Sequence, residues 1–147
     1  MNVVLSGSQG PIQIGDVYKI SILLDGNEII NAAEITISWT DSLLNLVGFD
    51  FQDSAMPIEA ERSISQSAVR MARGVLPPGI TGIKLFGKID FRAIASGLAV
   101  IGVDGSSKIL RVSDNTNVLN GFTDQTIRIV SDAISPAPPQ NLNVNGG

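Results

Sequence analysis

The 147-residue chain contains no cysteine and no histidine. Without cysteine, disulfides, thiolate nucleophiles and a cysteine-held zinc are all excluded. Without histidine the commonest proton-transfer group near neutral pH is missing, which weakens any enzymatic reading. Aromatic residues make up 5% of the chain, with one tryptophan and one tyrosine, too few for a row of rings that would stack on sugars. Charged residues are sparse as well, 16% of the chain, against about 25% in ordinary soluble domains. The net charge is −4 and the ten Lys and Arg residues are scattered, so there is no basic stripe to displace counterions from nucleic acid. Long apolar runs are lacking. The longest, LAVIGV from Leu98 to Val103, is far short of the ~20 residues that cross a bilayer. The opening MNVVLSGSQG has no basic segment leading into an apolar stretch, so no secretory signal is expected there.

What is present is alternation. Hydrophobic residues are 44% of the chain, enough at this length to bury one core. In INAAEITISW, Ile30 to Trp39, one parity holds Ala33, Ile35, Ile37 and Trp39, and the other Ala32, Glu34, Thr36 and Ser38. A period of two among β-branched residues is the mark of a half-buried strand. The first set is expected inside, and the second, small and polar, outside. The same parity rule buries Tyr18, Ile20, Ile22 and Leu24, then Gly87, Ile89, Phe91 and Ala93, then Ile127 and Ile129. It turns Phe86, Lys88, Asp90 and Arg92 outwards.

Strands are expected near Val3 to Leu5, Val17 to Leu24, Ile30 to Trp39, Asn45 to Phe51, Ala68 to Arg73, Lys84 to Ala93, Leu98 to Val103, Lys108 to Val112 and Thr126 to Val130. Such a chain of short strands between turn signals reads as an all-β sandwich or barrel. Asp25-Gly26-Asn27 offers residues that tolerate positive φ and predicts a tight reversal. Pro77-Pro78-Gly79 interrupts any ladder. Thr40 to Leu44 could form one helical turn capped by Thr40 or Asp41, and Pro57 to Ser67 reads as a loop or a short helix. After Ser131 the composition shifts to Pro, Asn and Gly. This divides the chain into a sandwich over residues 1–131 and a segment 132–147 that is a linker or the start of a following fibronectin III-like module.

The order of segments GDVYKISILLDG, INAAEITISWTDSLLNLVGF, GVLPPGITG, IKLFGKIDFRA, SGLAVIGV and SSKILRVSDNTNVLNGFTDQTIRIV resembles a cohesin domain over nearly all of residues 3 to 130. The resemblance implies a two-sheet jelly-roll β-sandwich of about nine strands. It also implies a non-catalytic protein-binding role, with a dockerin-like module as partner and calcium carried by that partner. The partner would lie on the sheet of the third, fifth, sixth and eighth strands. Carried over by position, the contacts would be Ala32, Glu34 and Thr36 on strand three, Arg70 and Ala72 on strand five, and Phe86 and Lys88 on strand six. Val75 and Leu76 in the intervening loop and Leu110 on strand eight complete the set. Where one widespread type of cohesin has Asn and Asp, this chain has Ala32 and Glu34, and Ala32 cannot make the Asn contact.

Other constellations are weaker. Glu34 is either a hydrogen-bond acceptor for a partner or a solvated charge, and Arg70 and Lys88 either face a partner or form cross-strand ion pairs with it. Asp114, Asn115, Asn117 and Asp124 lack the spacing of a calcium loop, so no metal is expected on this chain. Glu59 and Glu61 lie side by side with nothing to set them across a cleft, and Trp39 reads as packing. The expected role is therefore a receptor module in an extracellular or cell-surface assembly. A structural spacer, a homodimer through the same sheet face and, less well supported, a carbohydrate-binding module are the alternatives.

Overall fold

Alternation decides the architecture. Tyr18, Ile20, Ile22, Leu24, Ala33, Ile35, Ile37, Ile89, Phe91, Ile127 and Ile129, all of inward parity, are buried in one continuous core. The computed structural model describes residues 1–131, and the segment 132–147, with its expected linker or module start, lies outside the described residues. Among the described residues there are eleven strands and no helix. They are β1 (Asn2–Ser6), β2 (Ile12–Gln13), β3 (Val17–Trp39), β4 (Leu44–Asp50), β5 (Ile58–Ile64), β6 (Ala68–Gly74), β7 (Ile80–Ala93), β8 (Gly97–Val103), β9 (Lys108–Arg111), β10 (Gly121–Thr123) and β11 (Gln125–Val130).

The 23-residue β3 organises both layers of the sandwich. Its first half is hydrogen-bonded between β1, from Ser21 to Asp25, and β7, from Val17 to Gly26. Its second half has β6 on one side, from Ala32 to Ser38, and β9 and then β8 on the other. One layer is thus β10-β1-β3-β7-β4, and the other places β5 and β6 beside the second half of β3, with β9 and β8 beyond it. The crossing point is Asp25-Gly26-Asn27. Instead of the expected tight reversal, Asn27, Glu28 and Ile29 bulge opposite the single Thr81 between the pairs Gly26↔Gly82 and Ile30↔Ile80. The two ends of β3 then meet again: Tyr18 pairs with Phe91, whose ring lies 5.2 Å from that of Trp39.

Three further expectations are corrected. Pro57 to Ser67 is neither loop nor helix for most of its length but the edge strand β5. Thr40 to Leu44 is a single turn in which Leu43 and Leu44 donate to the Thr40 carbonyl, and Thr40 Oγ1 accepts from the Val100 amide instead of capping a helix. Phe86, placed outside by parity, is fully buried. The cause is local: Ile22 pairs with Gly87 and the next residue, Leu23, pairs with Leu85, so Phe86 is the extra residue of a β-bulge. A one-residue bulge reverses the parity of the side chain it carries. The ring packs edge-on against Phe51 with centroids 6.2 Å apart.

Candidate binding face

The outward side of the second layer carries the candidate site. On β3 the outward residues are Ala32, Glu34, Thr36 and Ser38; their register partners on β6 are Gly74, Ala72, Arg70 and Ala68. On the other flank Ala32 pairs with Leu110 and Glu34 with Lys108. The structure therefore brings together six of the residues expected from sequence: Ala32, Glu34, Thr36, Arg70, Ala72 and Leu110.

Small side chains dominate the middle of this face, and charges frame it. Arg70 Nε donates to Glu34 Oε2 at 2.6 Å, and Arg70 Nη1 lies 2.8 Å from Glu61 Oε1 on β5. The hydrogen bond from Arg70 holds the Glu34 carboxyl below its usual range, and Glu34 and Glu61 in turn raise the Arg70 guanidinium. Each of the three charges is paired within the network, and none is left for a partner to desolvate alone. The backbone of Thr36 is secured by the loop after β8: its amide donates to Ser107 Oγ at 3.0 Å, and its carbonyl accepts from the Asp104 amide at 2.8 Å. The buried Ser107 thus substitutes for a strand pairing between β8 and β9.

The edge strand β5 is held by an arginine beneath the face. Arg73 is buried, its Nε donates to the Met56 carbonyl at 2.8 Å and its Nη2 to the Pro57 carbonyl at 3.2 Å. Its guanidinium also pairs with Glu59 at 3.2 Å and sits 4.0 Å from the centre of the Phe51 ring. Burial lowers its pKa, with Glu59 acting in the opposite direction. Arg62, facing the same way, lies 4.8 Å from the centre of the Phe49 ring. These two guanidinium–ring contacts tie β6, through Arg73, and β5, through Arg62, to the opposite layer, a geometry that stabilises both groups.

The other expected contacts fall elsewhere. Phe86 belongs to the core and is not available to any partner. Lys88 lies on β7 opposite Ser21 and Asp50, in the first layer, and does not share a face with Glu34. Val75 is half-buried against the core and donates its amide to the Asn31 carbonyl at 3.0 Å, whereas Leu76 next to it is 69% exposed at the tip of the β6–β7 loop. Sequence reasoning missed Ala60, Glu61 and Lys108, which complete the face. The spacing of Glu59 and Glu61 was the one available signal, and it reads equally well as solvent exposure.

The remaining polar clusters are structural. Asp114 takes a bidentate contact from Arg111 and caps the Thr116 amide, Asn117 accepts from the Ile109 and Leu119 amides, and Asp124 accepts from the Val103 amide. Trp39 and Tyr18 are both buried, so neither offers a ring to a sugar.

No family model and no curated protein matches the chain. Solved structures do. A non-cellulosomal cohesin from the archaeon Archaeoglobus fulgidus superposes with a TM-score of 0.72 over 88% of this chain and 91% of its own, at 14% identity. The seventh ScaB type I cohesin from Pseudobacteroides cellulosolvens gives 0.72 over 95% and 97%, at 18% identity. The sixth cohesin of scaffoldin B from Acetivibrio cellulolyticus, solved in complex with a dockerin, gives 0.69 over 88% and 98%, at 13% identity. The chain therefore has the cohesin fold, a two-layer β-sandwich.

Proposed function

We propose that this chain is a non-catalytic protein-binding module that receives a calcium-loaded dockerin-like partner on the face formed by β9, β3, β6 and β5. The observation that carries the reading is the preformed Glu34, Arg70 and Glu61 network on a face of small residues, in a fold shared with a cohesin solved in complex with a dockerin. A preformed sheet face whose central charges are already paired needs little rearrangement to bind, as in other complexes of preformed surfaces. An interface of ordinary size would cover roughly 800 Å² of this module. Calcium enters the assembly with the partner and not with this chain, and the assembly lies outside the cell or on its surface.

Calorimetric titration with dockerin-like modules from the same genome, in calcium and again in a chelator, tests the reading. Calcium-dependent binding at a 1:1 ratio supports it. Absence of binding to all of them overturns it in favour of a spacer module in a surface protein, and a concentration-dependent dimer with no dockerin binding would assign the face to a second copy.

A further inference from the structure

Between the charged network and the edge of β9 the binding face is not flat. Ala32, Ala60, Ala72 and Leu110 line a mostly apolar depression of about 130 Å³, to which the charged Glu34, Arg73 and Lys108 also contribute. Ala60 reaches it because β5 carries a bulge: Glu59 pairs with Arg73 and Glu61 with Ala72, leaving Ala60 without a partner. For scale, an apolar cavity of about 150 Å³ accommodates benzene. The depression has the size of one aliphatic side chain and an apolar lining to match.

The rim is asymmetric in charge. Glu34 and Glu61 are both engaged by Arg70. Lys108, directly opposite Glu34 in register and exposed, makes no ion pair among the described residues. The open charge of the site is therefore positive and borders the apolar socket itself.

We propose that the depression is a specificity socket for an aliphatic side chain of leucine size, presented by a partner protein that places a carboxylate within reach of Lys108. The inference deepens the binding reading and rests on it for the identity of the partner, while the socket itself is testable without one. Burying one aliphatic side chain removes apolar surface from water on both partners, and the Lys108 pairing selects orientation and speeds encounter more than it adds affinity.

The test has two arms. In the first, backbone amide shifts of the isolated chain are followed by NMR on addition of N-acetyl-leucine, which carries both the isobutyl group and a carboxylate, and of its uncharged amide. The expected result is shifts confined to the neighbourhood of Ala32, Ala60, Ala72 and Lys108. They should weaken with the amide and disappear in Ala72→Leu, with Ala32→Ile as a second variant that fills the same space. Shifts scattered over the surface, or unchanged in both variants, overturn the socket. In the second arm the same variants and Lys108→Glu are titrated with the dockerin-like modules. A loss of about tenfold or more in affinity for Ala72→Leu, and a slower association for Lys108→Glu, supports the socket as the partner's seat. If a dockerin binds the variants as well as the wild type, the socket is refuted while the dockerin reading stands. Acetyl-leucine seated at these residues with no dockerin binding at all would keep the socket and refute the dockerin as its occupant.

Discussion

Arg70 reaches Glu34 diagonally: its register partner on β3 is Thr36, yet its Nε lies 2.6 Å from Glu34 Oε2, two residues along. With Glu61 on β5 as its second acceptor, one guanidinium links three strands across the proposed binding face. Replacing Glu34 with Ala and Arg70 with Glu removes the network and inverts its centre. The double variant should keep its thermal midpoint within a few degrees, because the pairs are partly exposed and screened. It should lose roughly tenfold or more in partner affinity. Equal affinity would move the interface off this face.

Acid titration gives a second handle. The Glu34 carboxyl is held down chiefly by Arg70 and the Asp114 carboxyl chiefly by Arg111, so both have folded pKa values below the unfolded ones. Their contribution to stability is complete above the unfolded carboxylate pKa of about 4 and is lost as pH falls through the lower folded values. Melting curves from about pH 6 down to about pH 2 should show Tm falling below about pH 4. A Glu34→Gln, Asp114→Asn variant should start lower and fall less steeply. The same slope in both proteins would show that these two pairs do not contribute to acid stability.

Phe86 separates folding from binding. Because it is fully buried, Phe86→Ala should destabilise the domain by about 3–5 kcal/mol through lost burial and the cavity left behind, read from denaturant unfolding. Phe86→Leu, which stays folded at smaller cost, should bind its partner as the wild type does. Weakened binding by a fully folded Phe86→Leu would contradict the core assignment.

Arg73 anchors the edge strand. Arg73→Lys keeps the charge but cannot reach the Met56 and Pro57 carbonyls and the Phe51 ring together. The Met56 carbonyl keeps its hydrogen bond from Ser54 Oγ, so the loss is that of the charged guanidinium hydrogen bonds, about 1.5–3 kcal/mol. Hydrogen exchange should show faster exchange across β5 in this variant, with the β3–β7 pairing less affected. Unchanged protection of β5 would mean that its ladder with β6 suffices to hold it.

The second half of β3 was legible because its period of two is unbroken from Ala32 to Trp39 and the parity of Ala33, Ile35, Ile37 and Trp39 is uniformly apolar. From that parity alone Ala33, Ile35, Ile37 and Trp39 are assigned to the core and Glu34 to the surface, as found. β5 was illegible for the opposite reason. Every residue from Ile58 to Ile64 is exposed, so no alternation of burial is written into it, and the bulge at Ala60 breaks the period. Taking Pro57 to Ser67 for a loop or a helix makes Ala68 to Arg73 the fifth strand and Lys84 to Ala93 the sixth. That shift in the count sent Phe86 and Lys88 to the binding face. The strand that occupies the fifth place is β5, which supplies Ala60 and Glu61 instead. Phe86 was doubly hidden, since the one-residue bulge on β7 that turns its ring into the core against Phe51 leaves no trace in local composition.

β3 is hydrogen-bonded in both layers, with no chain break between the core-side pairing at Ile20 and the binding-face pairing at Glu34. Separable cooperative units usually follow separable pieces of secondary structure, and here the two layers have their longest piece in common. The proposed binding face cannot peel away as an independent unit without disrupting the strand that organises the rest. A partner that docks on it will therefore protect amides throughout the sandwich, slowing exchange at Tyr18 or Ile20 as well as at Glu34, because ligand binding is linked to the global opening.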